Sequence, residues 1–235
     1  GFNILMRIAK YIANAGVCSR REAEKLIERK KVFINDVCCE HPSTKVSLED
    51  KIVVNKKVIQ LNKEIRLWKM YKPPKIICTN HDPQKRKTIF NLIPKNFPRL
   101  ISIGRLDYMS EGLILFTNNG DFARKYELPS SNILRVYRVC VNGIIKDDDI
   151  KKINIGITIN KIEYKKVNAR IEKIKPPYSW LIFKIKEGKN REIRNICDYF
   201  LWNIVNLVRI QYGSIKLIKQ KSGEIIEINN FDKNL

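Results

Sequence analysis

The residues best placed for chemistry lie in the stretch 103–120, Ile-Gly-Arg-Leu-Asp-Tyr-Met-Ser-Glu-Gly-Leu-Ile-Leu-Phe-Thr-Asn-Asn-Gly. Two apolar runs flank a charged loop that holds Arg105, Asp107 and two glycines. A loop held by rigid strands is a common place for function, and a carboxylate there offers nucleophilic or general-base chemistry. A structural Arg105–Asp107 ion pair beside a turn is the other reading of the same residues. The rest of the chain supplies little else. His41 and His81 are the only histidines, so a Ser-His-Asp triad or a histidine metal site is poorly served. Cys38-Cys39-Glu40-His41 is the one possible ligand cluster; its spacing matches no zinc pattern, and a short strand running into a turn at Pro42 accounts for it. Asp147-Asp148-Asp149 is the only run of carboxylates open to a nuclease. It reads instead as the first turn of a helix, where negative charge suits the dipole.

The elements that must position the loop follow from periodicity and turn chemistry. A short amphipathic helix is expected over 6–15, with Ile8, Ile12, Leu5 and Ala9 on its apolar face and Gly16 as its stop. Ser19-Arg20-Arg21-Glu22 reads as a capping box opening a second helix to about Lys30. Val32-Phe33-Ile34 and Val37-Cys38 flank Asn35-Asp36, and Ile52-Val53-Val54 and Val58-Ile59 flank Asn55-Lys56; both pairs tolerate tight turns. Residues 62–65 form a short polar linker. Beyond it, strands are expected at 66–70, 76–79, 101–103, 112–117, 136–141, 164–174, 180–186, 205–210 and 225–228. Helices are expected at 121–126, 147–152 and 191–200. Strands outnumber helices without regular alternation, so the class is α+β with a mostly antiparallel mixed sheet. The expected division is 1–61, 62–65 and 66–235.

Charge narrows the partner. The chain has 235 residues with 46 Lys plus Arg against 24 Asp plus Glu, a net +22. Such a charge self-repels and is usually carried for a polyanion, most often nucleic acid. It is spread over the chain, +5 (12 − 7) within 6–60 and +17 (34 − 17) within 61–235. A hydrophobic fraction of 44% argues against a disordered basic tail, and no run of 18 apolar residues offers a membrane span. Residues 1–5 are too short for a signal peptide. Six cysteines without a CxxC, and no export signal, point to a reducing compartment. The sharpest basic cluster is Arg20, Arg21, Lys25, Arg29, Lys30 and Lys31, interleaved with Glu22, Glu24 and Glu28 as a merely solvated helix face would be.

The order of turn, Ser-Arg-Arg-Glu helix and Val-x-Ile-Asn hairpin resembles the S4 RNA-binding domain. Two glycines of that pattern are replaced around Lys31 and Asp36; Asp tolerates the turn geometry, Lys31 less comfortably. The stretch 104–120 resembles the GRLD-x-x-[ST]-x-GLLL-[FL]-TNDG signature of the pseudouridine synthases, in the branch that carries an N-terminal S4 domain and acts on ribosomal RNA. Tyr71-Lys72-Pro73-Pro74, then Cys78-Thr79-Asn80-His81-Asp82-Pro83 and Thr88-Ile89-Phe90, are similar to the family's opening hairpin and loop. Arg135-Val136-Tyr137-Arg138-Val139 resembles its K-x-Y-x-V strand. Glu187-Gly188-Lys189-Asn190-Arg191-Glu192-Ile193-Arg194 resembles EG-[KR]-N-R-[QE]-[IV]-R, and Leu207-Val208-Arg209 with Tyr212-Gly213 its closing strand and turn. The departures, Arg135 for Lys and Asn119 for Asp, fall where no chemistry is expected.

The resemblance implies isomerisation of uridine to pseudouridine without metal or cofactor. Asp107 would be the catalytic aspartate, acting as nucleophile on the anomeric carbon or as base on the neighbouring ribose carbon. Arg194 would pair with it, with Arg191 as rival; Tyr137 would stack on the extruded base. Arg105 would hold the backbone or the flipped-out conformation, Leu207 would line the base pocket, and Arg20, Arg21 and Lys31 would hold RNA. The implied partner is ribosomal RNA or a pre-ribosomal particle, with the large subunit favoured over the small. The implied setting is a monomer without membrane contact, in the cytoplasm or in a bacterial-type organelle. A non-catalytic assembly factor is the reading from another class.

Overall fold

The computed structural model describes residues 4–62, 64–165 and 167–233. Lys63 in the expected linker, Lys166 inside the strand expected at 164–174, and the termini of the two expected domains lie outside the described residues. The chain begins with β1 (Met6–Arg7), α1 (Ile8–Asn14), α2 (Arg20–Glu28), β2 (Val32–Ile34), β3 (Val37–Cys38), β4 (Lys45–Val46), β5 (Ile52–Val54) and β6 (Lys57–Ile59). Met6 and Arg7 pair with Val46 and Lys45, so the first helix starts two residues later than its apolar pattern suggests. It ends as expected at Gly16, whose φ is +79; the Gly16 and Val17 amides close on Ala13 and Ile12 in a Schellman turn. The capping box of α2 is present, with the Ser19 hydroxyl accepting from the Glu22 amide at 3.1 Å. Its end corrects the expectation about Lys31: Lys30 takes the left-handed conformation, φ +56, while the Lys31 amide bonds to the Leu26 carbonyl. Asn35-Asp36 and Asn55-Lys56 all have positive φ, as two-residue hairpin turns require. They set the four-stranded order β3-β2-β5-β6, and Ile8, Ile12, Ala23, Ile27, Val32, Ile52 and Val54 close a core of their own.

The remainder comprises β7 (Leu67–Lys72), β8 (Ile101–Ile103), β9 (Glu111–Thr117), α3 (Gly120–Glu127), β10 (Arg135–Asn142), α4 (Asp147–Ile155), β11 (Ile157–Ile159), β12 (Ile162–Tyr164), β13 (Val167–Lys175), β14 (Tyr178–Ile185), α5 (Glu192–Tyr199), β15 (Asn203–Tyr212), β16 (Ile215–Lys216) and β17 (Ile225–Ile228). One mixed sheet runs β13-β14-β10-β15-β9-β7-β17, with β16 on β15 and β8 on β9. Only β15–β9 is parallel among these pairings, so the molecule is α+β with a mostly antiparallel sheet. That junction sits at the middle of the sheet and brings the start of β9 beside Arg209. It demands Gly112: a Cβ there would lie 2.3 Å from the Arg209 carbonyl oxygen, and φ is +100.

Two strand expectations are corrected. Residues 76–79 form no ladder; a single bridge joins Ile77 to Thr88, because Pro73-Pro74 and the left-handed Lys75 (φ +62) turn the chain away from the sheet edge. The run 164–174 is two elements: Tyr164 ends the hairpin β11–β12, and β13 begins at Val167. That hairpin turns at Asn160-Lys161, both with positive φ, and its turn chemistry went unread in the sequence.

Candidate active site

Asp107 lies in the turn between β8 and β9, and a buried lysine holds that turn. The Lys72 ammonium, fully buried at the end of β7, donates to the carbonyl oxygens of Pro73, Tyr108 and Ser110 at 2.9, 3.2 and 2.7 Å. Three carbonyls solvate a cation that burial pushes down to a pKa of about 8, against the pull of nearby charges that include Asp107. The Lys75 amide adds a bond to the Tyr108 carbonyl at 2.7 Å. Backbone and ammonium together fix the loop, while the Asp107 side chain stays about one-third exposed, at 37%.

Arg194 comes from α5 and meets this turn from the other side. Its Nε lies 3.8 Å from an Asp107 carboxylate oxygen, an ion pair too long for a hydrogen bond; the same Nε is buried without a hydrogen-bond partner. One terminal nitrogen donates to the buried Ser110 hydroxyl at 3.0 Å. Burial pulls the Arg194 guanidinium below its usual range and the Asp107 carboxylate opposes that pull; a guanidinium stays charged throughout. A fixed cation beside a one-third-exposed carboxylate attracts it and holds it aimed. Arg191, the rival, is exposed at the helix N-cap in a left-handed conformation (φ +51) and makes no ion pair with Asp107 among the described residues.

Across β10 and β15, Tyr137 stands opposite Arg209 and Val139 opposite Leu207, so Tyr137, Leu207 and Arg209 share one face of the sheet. They floor a cleft of about 670 Å³ whose lining also includes Arg105, Asp107, Ser110 and Arg194. Arg105 is exposed at its rim. The structure therefore gathers Arg105, Asp107, Tyr137, Arg194 and Leu207 in one place. Arg20, Arg21 and Lys31 are exposed on the N-terminal unit, outside the cleft lining.

Several residues in or behind the cleft were not singled out by sequence. Lys72 and Arg209 stood inside quoted motifs without a role. Arg209 is 2% exposed; its Nε donates to the Leu113 carbonyl at 2.8 Å, and Nη2 is buried without a partner. Cys78 lines the cleft, but burial raises its thiol pKa despite the Leu106 amide donating to its sulfur, so it is a poor nucleophile. Glu192, 5% exposed, is pushed up to about 9 by burial and then by the Glu187 carboxyl beside it. Among the described residues no three His, Cys, Asp or Glu side chains gather as a metal site. Cys39 in the Cys38–His41 stretch donates its thiol to the His41 carbonyl. No helix among the described residues is long and apolar enough to cross a membrane.

Comparison with known proteins shows the family. A family model described as RNA pseudouridylate synthase matches residues 66–199, and the S4 domain model matches residues 6–52. A Rickettsia felis protein described as an uncharacterized RNA pseudouridine synthase is 44% identical over 227 residues, covering 96% of this chain and 98% of its own. The ribosomal large subunit pseudouridine synthase B of Bacillus subtilis is 32% identical over 225 residues, covering 94% and 91%. A solved pseudouridylate synthase structure superposes with a TM-score of 0.65 at 24% identity, covering 95% of this chain and 96% of that one. The chain is an S4-domain-containing enzyme of the RNA pseudouridine synthase family.

Proposed function

We propose that this enzyme converts one uridine of large-subunit ribosomal RNA to pseudouridine, with Asp107 as the catalytic carboxylate. The observation that carries the reading is the constellation itself: Asp107 on a turn clamped by Lys72, 3.8 Å from a buried Arg194 that Ser110 holds. The extruded uridine would enter the cleft over Leu207 and stack on Tyr137, which offsets part of the unstacking cost. Asp107 would then attack the anomeric carbon or take the proton of the neighbouring ribose carbon. The N1 glycosidic bond breaks, the base turns, carbon 5 bonds to the ribose, the carbon 5 proton leaves to water, and N1 takes a proton from water. Arg194 holds the carboxylate aimed through its charge, and Arg105 at the rim holds the backbone of the flipped nucleotide.

Residues 1–61 would form the S4 unit, with Arg20, Arg21 and Lys31 on the RNA, joined through 62–65 to a catalytic unit over 66–235. The large subunit is favoured by the Bacillus subtilis and Buchnera relatives that bear that name. The enzyme would work in the cytoplasm, as a monomer and without a cofactor. Its six free thiols support a reducing compartment. Tritium release from 5-tritiated uridine, run separately on unmodified large- and small-subunit RNA, tests the reading. Release from the large-subunit RNA alone supports it; release from the small-subunit RNA alone overturns the subunit, and release from neither overturns the substrate.

A further inference from the structure

Strand register separates the two faces of the β13–β14–β10–β15 half of the sheet. One face carries Phe183, Tyr137 and Arg209, then Leu181, Val139 and Leu207, and packs against Ile153 of α4 and Ile193 and Ile196 of α5. The opposite face is read off the same ladders. Lys184 pairs with Val136, Arg170 and Arg138 flank Ile182, Lys173 and Cys140 flank Trp180, and Lys175 and Asn142 flank Tyr178. Val136, Cys140 and Ile182 are each 5% exposed, yet they belong to none of the hydrophobic clusters. The long side chains in the same rows cover them, apolar stem inward and charge outward.

This uncovered face is more basic than the chain that carries it. Arg138, Arg170, Lys173, Lys175 and Lys184 stand against Glu172, which pairs with Arg138 at 2.7 Å. Five to one compares with 46 to 24 overall. It also carries aromatic rings among the cations. Trp180 and Tyr178 meet edge-on at 6.2 Å between centroids, Tyr178 is 39% exposed, and the Lys173 ammonium lies 4.4 Å from the Trp180 centroid. Interleaved cations with the exposed Tyr178 ring and the half-buried Trp180 beside it suit unpaired RNA, whose phosphates meet the cations while its bases stack.

We propose that this back face is a second RNA-binding surface, taking an unpaired segment of RNA distinct from the one whose uridine enters the cleft. Because cleft and back face lie on opposite sides of one sheet, a single short stem-loop does not occupy both. A long RNA engages both and gains from the effective concentration that the first contact creates. The inference rests on the proposed ribosomal substrate only for its turnover readout.

The test is the double variant Arg170→Glu with Lys184→Glu, both exposed, and separately Tyr178→Ala. Binding of full-length large-subunit RNA and of an unpaired oligonucleotide is measured against salt, alongside tritium release from an isolated stem-loop. The double variant should lose about tenfold or more in affinity for both unpaired RNA and full-length RNA, with a shallower salt slope. Tyr178→Ala should lose affinity for unpaired RNA with the salt slope retained. Turnover of the stem-loop should stay within about twofold of wild type. Unchanged affinity and slope in the double variant would make this an ordinary solvated face and overturn the proposal, as would an equal loss on the stem-loop. If wild type releases tritium from no ribosomal RNA, the proposed substrate fails while the oligonucleotide measurement still decides the back face.

Discussion

Replacing Glu192 by Gln should stabilise the protein, and increasingly so as pH rises from 5 to 9. Glu192 is the first residue of α5, where a helix dipole favours negative charge by about 0.3–1 kcal/mol. Burial outweighs this: the side chain is 5% exposed, and Glu187 places a second carboxyl beside it. Burial first, and then that neighbour, push the group from 4.5 to about 9. A folded-state pKa above the unfolded one means the native state holds the extra proton. Its stability is therefore fully present below about pH 4.5 and is lost progressively as pH rises through the folded value.

Between pH 4.5 and pH 7 the loss is at most about 3.5 kcal/mol at about 1.4 kcal/mol per unit, and sharing with Glu187 reduces it to roughly 1–3 kcal/mol. Gln keeps the shape, is neutral at every pH and offers an N–H to Glu187. In a chain of this length 1 kcal/mol moves the melting temperature by about 2–4 °C. The variant and wild type should thus melt within about 2 °C of each other at pH 5 and differ by roughly 4–10 °C at pH 8, the variant higher. Lys72, lowered to about 8, has the opposite slope, since its burial cost is relieved as pH rises above that value. It is common to both proteins and cancels in the difference. Melting curves of the two proteins at half-unit steps of pH decide the matter; parallel curves would refute the account of Glu192 as a neutral buried acid.

Three further substitutions probe separate parts of the framework. Gly112→Ala should cost more than about 3 kcal/mol or abolish soluble protein, since the new Cβ would lie 2.3 Å from the Arg209 carbonyl oxygen at a φ of +100; a melting temperature within 3 °C of wild type would contradict this. Ser110→Ala removes the hydroxyl that holds Arg194 and should lower kcat by about tenfold while costing about 1–3 kcal/mol of stability, since a buried guanidinium donor loses its acceptor. An unaltered kcat would take Ser110 out of the positioning network. Leu201→Gly should stabilise by about 1 kcal/mol, because Leu201 ends α5 at φ +60 and is 90% exposed, and thermal melting reads the gain directly.

What the sequence made legible was mostly local. The Ser19–Glu22 capping box, the Asn35-Asp36 and Asn55-Lys56 turns and the alternating strands at 136–141 and 180–186 rest on neighbours within a few residues, and all appear. Element edges moved where pairing over distance intervened: Met6 and Arg7 left the first helix to pair with β4; and Lys30 rather than Lys31 took the strained position, the second helix ending at Glu28. Residues 76–79 carry the apolar composition of a strand, but the bend at Pro73–Lys75 withholds them from the sheet. Among the site residues, motif resemblance placed Asp107, Tyr137, Arg194, Leu207 and Arg105, and the folded chain brings those five to one cleft. It did not suggest that Lys72 clamps the Asp107 turn, since that contact spans 38 positions and runs from an ammonium to backbone carbonyls. Nor did it suggest that Glu187 and Glu192 face each other, because five positions across a loop and a helix start have no fixed geometry in sequence.

The central claim is that Asp107 carries out the isomerisation, and the most direct measurement pairs tritium release with RNA binding for wild type and Asp107→Asn. Asn keeps the size of the side chain but can neither attack as a carboxylate nor accept a proton. The account predicts release by wild type on large-subunit RNA, no release above background by Asp107→Asn, and affinity for that RNA within a few fold of wild type. Turnover by Asp107→Asn at a rate near that of wild type would contradict it.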